Sequence, residues 1–333
     1  MALPADRSLL DALDEPAMVV EGKLVTLANR AARTLLGTAI VNQDVRLAIR
    51  HPQALEKILS GSVGDIDIIS FGEFGRPWTL AIRAIGPGAL LIRFMDRSAA
   101  AAAEKMRVDF VANASHELRT PLATIFGYAE TLTDEADLVP ERCAEIGKII
   151  GTHAQNMLRI IEDLMGLSRI EAGRFVAPTE AIAIGEVARA AVDKARSLRG
   201  AEQCDVRLEI ENGLPIIVGD HGQLMQLFDN LLSNAVRYGC LSEACRVLVT
   251  LGTEDGWVRI SVIDTGPGIP REHLPRLTAR FYRVDPARSR DSGGTGLGLA
   301  IVKHIVERHK GTLEIRSTVG EGTEVVVRLP DRR

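Results

Sequence analysis

The chain has 333 residues, of which 46% are hydrophobic, enough for about two or three domains with separate cores. It carries 40 basic and 44 acidic residues, a net charge of −4, so it lacks the electrostatic footprint of a nucleic-acid-binding protein. No apolar run reaches the roughly 18 to 20 residues that a membrane span needs, and Asp6, Asp11 and Asp14 interrupt any signal-peptide core.

The N-terminal region mixes short helices with β-rich segments. Residues 66–70 and 78–83 favour strands, and residues 89–97 form a closing strand that leads into a helix. His51 precedes Pro52 and is therefore interpreted as the start of a helix rather than as a haem ligand. The pattern predicts a small α/β domain over residues 1–97.

A helical hairpin is predicted over residues 98–175. Its first helix runs from the alanine patch Ala99–Ala103 to about Thr133. Apolar residues and one histidine recur on the second helix at spacings of three and four, namely Ile146, Ile149, His153, Met157, Ile160, Leu164 and Leu167. A lone hairpin cannot bury such a stripe, so we expect a twofold partner and a dimeric antiparallel four-helix bundle.

His116 lies in the middle of the first helix, with Glu117 beside it. Thr120 is one turn later and shares its face. Pro121 cannot donate to the carbonyl of Glu117, which predicts a bend just below the histidine. A neutral imidazole has a nucleophilic nitrogen, but a lone histidine in a helix more often occupies a core position and does no chemistry. The choice depends on the motifs that follow.

The segment Gln223–Tyr238 is predicted to be an amphipathic helix. Its apolar stripe consists of Leu224, Leu227, Leu231, Leu232 and Ala235. Asn230 and Asn234 share another face, and Arg237 and Tyr238 follow one turn later. A carboxamide oxygen suits Mg²⁺ that is already held by nucleotide phosphates, and an arginine can contact the phosphates themselves.

Two glycine-containing segments complete the pattern. Val258, Ile260 and Val262 alternate as in a strand that ends at Asp264, a carboxylate able to accept the exocyclic N–H of adenine. Gly266 and Gly268 follow and allow close backbone approach. Further on, Gly294, Gly296, Leu297 and Gly298 lead into an apolar helix whose N-terminus can bind phosphates. This second segment lacks the Gly-Lys-Ser/Thr of a P-loop and the βαβ unit of a dinucleotide site.

Together these segments resemble bacterial two-component sensor histidine kinases. Ser115–Pro121 resembles the phosphoacceptor box, and the later segments resemble the N, G1 and G2 boxes in order, across Met106–Pro330. Phe281 begins a segment similar to the F box, and Gly320–Thr323 resembles the final glycine–threonine box. The resemblance implies that Asn234 is the main Mg²⁺ ligand with Asn230 as its helper, and that Asp264 reads adenine.

The resemblance also implies a fold and an activity. The fold is multidomain α+β: a PAS-like sensor (1–97), the helical hairpin (98–175) and a two-layer α/β ATPase domain of the GHKL type (178–333). His116 would accept the γ-phosphoryl group of Mg²⁺-ATP with Glu117 as base, and would pass it to an aspartate of a response-regulator receiver domain. Thr120 would orient water for dephosphorylation of that regulator. A segment at Arg50–Pro52 resembles phosphate-regulon sensor kinases, which implies phosphate responsiveness.

Some points stay open. The resemblance implies a lid over the nucleotide that starts at Phe281 and closes at the G2 box around Gly296. Where relatives have Phe-Glu before the F box, this chain has Thr278 and Ala279, which predicts looser docking of this lid. The chain is expected to be a homodimer in the cytoplasm, either as a soluble kinase or as the soluble portion of a membrane-anchored one. Two alternative functions are a phosphatase-biased or degenerate signalling scaffold and a GHKL ATPase clamp, which would have no use for the His116 box.

Overall fold

The computed structural model describes residues 4–71, 75–134, 139–172, 176–197, 204–239, 245–285 and 294–331. It divides into two compact units, Met1–Val111 and Ala112–Arg333. Helix α5 (Ser98–Asp134) continues from the first unit into the second. No helix among the described residues is long and apolar enough to cross a membrane.

The first unit is built on a five-stranded antiparallel sheet of order β2-β1-β5-β4-β3. Its strands are β1 (Ala17–Glu21), β2 (Leu24–Ala28), β3 (Gly64–Phe71), β4 (Arg76–Gly86) and β5 (Ala89–Asp96). Its short helices are α1 (Pro4–Asp11), α2 (Arg30–Leu36), α3 (Val45–Ala48) and α4 (Pro52–Leu59). The predicted strands at 66–70 and 78–83 lie within β3 and β4, and the closing strand is β5. The expected helix start at His51 is confirmed, because His51 is the N-cap of α4.

Asn29 shows how this unit is held together locally. Its side-chain oxygen accepts the backbone N–H of Ala32, which caps α2, and the N–H of Ala17 at the start of β1. Its amide nitrogen donates to the carbonyls of Leu13 and Glu15. A fully buried carboxamide is tolerated only when its donors and acceptors are paired, and here they join three chain segments.

The second unit begins with the helical hairpin. Helix α5 continues through Pro121, which is buried, and helix α6 spans Pro140–Ala172. The predicted stripe on α6 is buried at Ile146, Ile160 and Leu167 and partly buried at its other positions. A second apolar stripe on α6, formed by Leu158, Ile161 and Met165, is exposed in the single chain.

The rest of the second unit has two layers. Its main sheet has the order β11-β12-β10-β9-β7, and all neighbours are antiparallel except β7 and β9. Its strands are β7 (Cys204–Ile210), β9 (Cys245–Glu254), β10 (Trp257–Asp264), β11 (Thr312–Thr318) and β12 (Gly322–Pro330). A small sheet pairs β6 (Glu180–Ile182) with β8 (Ile217–Gly219). The helices are α7 (Ile184–Arg196), α8 (His221–Gly239) and α9 (Gly298–Arg308), with a short 3₁₀ turn at Leu274–Arg276.

Helix α8 is the centre of this domain. It packs on β9, β10 and β12 and lies between α7 and α9. The whole predicted apolar stripe of α8 is buried, so the sequence interpretation of this helix is confirmed. The strand prediction for β10 is also confirmed, since Val258, Ile260 and Val262 are buried. Helix α6 of the hairpin packs against α9, and Gly166 of α6 lies against Gln226 of α8. These packed helices fix the position of the site described next.

Candidate functional site

The polar face of α8 points at the start of α9. Burial of the apolar stripe leaves Asn230, Asn234, Arg237 and Tyr238 partly buried on the other side of the helix. A Cβ placed on Gly298 would lie 3.4 Å from Asn230 Oδ1 and 3.6 Å from Asn234 Nδ2. The Asn230 Nδ2 atom is buried and has no hydrogen-bond partner among the described residues. The predicted asparagine face and the predicted glycine-rich helix start therefore meet, and they leave polar atoms directed at a narrow space.

Asp264 ends β10 in a pocket made by glycines. Its Oδ1 accepts the backbone N–H of Gly266 at 2.9 Å. A Cβ on Gly239 would lie 2.5 Å from the Asp264 Cβ, and one on Gly322 would lie 2.0 Å from the Asp264 carbonyl oxygen. Burial raises the pKa of the Asp264 carboxyl, and the backbone N–H groups of Gly266 and Thr323 act in the opposite direction. A partly buried carboxylate held by backbone donors has the chemistry needed to read a base edge.

The loop after Asp264 is pressed against the end of β11. Gly268 has φ +70°, and a Cβ there would lie 2.0 Å from the carbonyl oxygen of Thr318. The Gly320 N–H donates to the carbonyl of Pro267 at 2.8 Å, and the Ile269 N–H donates to Ser317 Oγ at 2.8 Å. The predicted glycine requirement at this position therefore has a steric cause, which is the close approach of two backbone segments.

The two ends of the lid segment meet across one backbone hydrogen bond. The N–H of Phe281 donates to the carbonyl of Gly296 at 2.8 Å, and both residues have positive φ. Tyr282 adds a second anchor, because its hydroxyl lies 2.6 Å from His273 Nδ1 and Arg276 lies over its ring. Gly294, Gly296 and Leu297 lie at the base of α9, as predicted. The first part of the glycine-rich segment, through Gly293, lies outside the described residues. The expected weakening of lid docking by Thr278 and Ala279 stays a prediction.

His116 lies beside the lid. It is exposed on α5, and the Thr120 hydroxyl donates to its backbone carbonyl oxygen at 3.4 Å. His116 and Thr120 line the same cavity, so they share one face of α5 as predicted. A cavity of about 330 Å³ is bounded by His116 and Thr120 on α5, by α6, and by Arg283 and Thr295 of the ATPase domain. The structure thus brings the predicted phosphoacceptor histidine and the lid segment to one cavity.

Two polar contacts join the hairpin to the lid, and neither was among the predicted site interactions. Arg283, whose side chain is 9% exposed, donates to Glu117 Oε2 at 2.7 Å. The Thr295 hydroxyl donates to Asp163 Oδ2 of α6 at 2.7 Å. Burial raises the pKa of the Asp163 carboxyl, and the hydrogen bond from Thr295 opposes that shift. The partners are far apart in sequence, so no local pattern could have paired them.

Comparison with known proteins identifies this architecture. The family model of the His Kinase A (phospho-acceptor) domain matches residues 106–173. The model of the histidine kinase-, DNA gyrase B-, and HSP90-like ATPases matches residues 219–333. A phosphoacceptor hairpin followed by this ATPase-type domain defines the class of protein-histidine kinases.

The chain is similar to several curated sensor kinases. It is 38% identical to the phosphate regulon sensor protein PhoR of Pseudomonas aeruginosa over 220 residues, covering 66% of this chain and 49% of that protein. It is 40% identical to the probable sensor histidine kinase TcrY of Mycobacterium tuberculosis over 321 residues, covering 94% of this chain and 66% of that protein. It is 36% identical to the signal transduction histidine-protein kinase BaeS of Escherichia coli, covering 69% of this chain and 48% of that protein. The chain spans about half the length of PhoR and BaeS.

The fold is shared with a solved kinase. The structure of histidine kinase ThkA in complex with the response regulator protein TrrA aligns with a TM-score of 0.52 at 18% identity, covering 98% of this chain and 99% of that one. The chain belongs to the sensor histidine kinases of two-component systems.

Proposed function

We propose that this chain phosphorylates itself on His116 from Mg²⁺-ATP and passes the phosphoryl group to an aspartate of a response-regulator receiver domain. One observation carries the proposal: His116 shares a cavity with Arg283 and Thr295, which flank the lid of the ATPase domain. Phosphoryl transfer depends mainly on positioning and charge stabilisation, so placing the acceptor beside the nucleotide lid is the main structural requirement.

The nucleotide would lie between α8 and α9. Asp264 would accept the adenine amino group, and the backbone at Gly266 and Gly268 would approach the base closely. Arg237 and Tyr238 would contact the phosphates. The phosphates would be held by backbone N–H groups at the start of α9, those of Gly294, Gly296, Leu297 and Gly298. Phe281 would close the lid through its hydrogen bond to Gly296.

The polar atoms between α8 and α9 fit a magnesium ion held jointly with phosphates. A side chain on residue 298 would fill the space beside Asn230 Oδ1, and the carboxamide oxygens of Asn230 and Asn234 are hard neutral ligands. Bound Mg²⁺ would neutralise charge on the phosphates.

The acceptor step would use the imidazole of His116. One ring nitrogen, Nε2, would form the N–P bond while the bond to the bridging oxygen of ADP breaks. Glu117 would accept the proton of the other ring nitrogen. Arg283 binds Glu117 Oε2 at 2.7 Å, so the other carboxylate oxygen, Oε1, would accept this proton.

The partner proposals rest on the exposed faces of the hairpin. Leu122 and Phe126 on α5 and Leu158, Ile161 and Met165 on α6 are large apolar residues left exposed in the single chain. A second copy would cover them and complete a four-helix bundle. The receiver domain would dock low on this bundle, and Thr120 would orient water for its dephosphorylation.

The proposal also covers the domain limits and the role of the first unit. We assign a PAS-like sensor to residues 1–97, the hairpin to 98–175 and the ATPase domain to 178–333, and we place the chain in the cytoplasm. The five-stranded antiparallel sheet with short helices on residues 17–96 supports the sensor assignment. The similarity to PhoR supports a phosphate-responsive subtype.

The test is incubation with Mg²⁺ and ATP labelled on its γ-phosphoryl group, with wild type beside His116→Gln and Asn234→Ala. The proposal expects acid-labile, alkali-stable label on the wild type, none on His116→Gln, and strongly reduced label and ATP binding for Asn234→Ala. Label that persists on His116→Gln would contradict it. Absence of label from all three proteins, with ATP binding intact in the wild type, would favour the phosphatase-biased scaffold.

A further inference from the structure

The α6 side of the His116 cavity carries two polar side chains that have no assigned role. His153 and Asn156 lie on α6 and both line this cavity. They are related by i,i+3, so they share one face of the helix. The sequence pattern placed His153 in the apolar seam of α6, but the structure places it at the cavity that contains the proposed acceptor.

These two side chains are available to a ligand. Neither has a hydrogen bond to another residue in the described part of the chain, although both are partly buried. Ile160, one turn beyond Asn156, is buried and closes the same wall. An apolar neighbour lowers the local dielectric and makes hydrogen bonds formed in the cavity stronger than in bulk water.

The hydrogen-bonding character of the cavity suits an anion. Arg283 is a donor only, a carboxamide offers two N–H groups, and an imidazole offers at least one. Glu117 is the carboxylate among the lining residues, and its Oε2 is already bound by Arg283. A phosphoryl group on His116 would bring about two negative charges and oxygens that only accept hydrogen bonds. It would also lie next to Glu117, and donors on α6 would offset the repulsion between the two negative groups.

We propose that His153 and Asn156 are positioning residues that donate hydrogen bonds to the phosphoryl group once it is attached to His116. This inference rests on the proposed function of His116. It makes α6 part of the phosphohistidine site and assigns it the stabilisation of the phosphorylated state.

The test is the equilibrium constant of the reaction ATP plus protein to ADP plus phosphoprotein, obtained from the forward and reverse rate constants. Damage to the catalytic machinery slows both directions and leaves this constant unchanged, whereas loss of a phosphoryl contact lowers it. The proteins compared are wild type, the double variant His153→Leu/Asn156→Leu, and His153→Gln, which retains an N–H donor. The matched control is Gln155→Leu, an exposed position on the same turn of α6.

We expect the equilibrium constant of the double variant to fall by about tenfold or more, a factor equivalent to about 1.4 kcal/mol and at the low end for hydrogen bonds to a charged group. His153→Gln should stay within about threefold of wild type, and Gln155→Leu should match it. An unchanged constant in the double variant, even with slower rates, would overturn the inference. Label on His116→Gln would instead overturn the proposed function.

Discussion

The contact between Gly268 and the end of β11 allows a sharp prediction for the ATP site. In Gly268→Ala, the new Cβ would lie 2.0 Å from Thr318 O, 2.6 Å from Thr318 C and 2.8 Å from Val319 Cα. All three are backbone atoms, so no side-chain rotation can relieve the collision. The two segments must separate until these distances exceed about 3 Å, and the loop that follows Asp264 must move with them.

The expected loss of stability in Gly268→Ala has two contributions. A non-glycine residue in the left-handed region costs about 1–2 kcal/mol, and forcing an extra methyl group into a packed position typically costs about 1–3 kcal/mol more. The expected loss is therefore about 2–5 kcal/mol in the free energy of unfolding. Because the displaced loop borders Asp264, ATP affinity should also fall, by at least about tenfold.

Gly256 provides the matched control. It has φ +83°, and a Cβ there would meet nothing within 4 Å, so Gly256→Ala carries only the conformational cost. Calorimetric unfolding should show a loss of about 1–2 kcal/mol for this variant, and titration calorimetry should show unchanged ATP affinity. If both variants lose the same stability and bind ATP equally well, the close approach at Gly268 does not shape the nucleotide site.

Three further predictions follow from individual contacts. Burial lowers the pKa of His309, whose neutral Nε2 accepts the Asp220 N–H at 3.0 Å, so the unfolded chain binds this proton more readily. The stability contributed by neutral His309 is thus complete above its ordinary pKa of 6.5 and is lost as the pH falls below it. Urea unfolding should show that acid pH lowers the free energy of unfolding more for wild type than for His309→Gln. Equal decreases in the two proteins would refute this. Thr120→Ala should retain autophosphorylation and lose dephosphorylation of the receiver domain, and loss of both activities together would rule out its proposed role. Thr295→Val removes the donor to the partly buried carboxylate of Asp163 and should lower the free energy of unfolding by about 1–3 kcal/mol. Hydrogen exchange of α6 should then rise around Asp163, and unchanged exchange would mean that the contact is not needed for docking.

Local patterns were sufficient to predict the elements that carry the site. The stripe on α8 follows helical spacing and leaves one polar face, so Asn230 and Asn234 were assigned to that face from the sequence. The alternation of β10 placed Asp264 at a strand end in the same way. These predictions succeed because each helix or strand buries one face, and the spacing of its apolar residues shows which face that is.

Contacts between distant segments could not be predicted in this way. Arg283 meets Glu117, and Thr295 meets Asp163, only because α6 packs against α9. His153 fits the apolar spacing of α6, and spacing alone does not distinguish a seam position from a cavity wall. Spacing also does not show that α6 carries a second apolar stripe, Leu158, Ile161 and Met165, which is exposed in the single chain.

The most direct test of the central claim is to locate the phosphoryl group. The full chain would be incubated with Mg²⁺-ATP, digested at alkaline pH to preserve phosphohistidine, and analysed by tandem mass spectrometry. We predict one phosphoryl group per chain, on His116 in the peptide that contains Glu117. A phosphoryl group on His153 or on any other residue, with His116 unmodified, would contradict it.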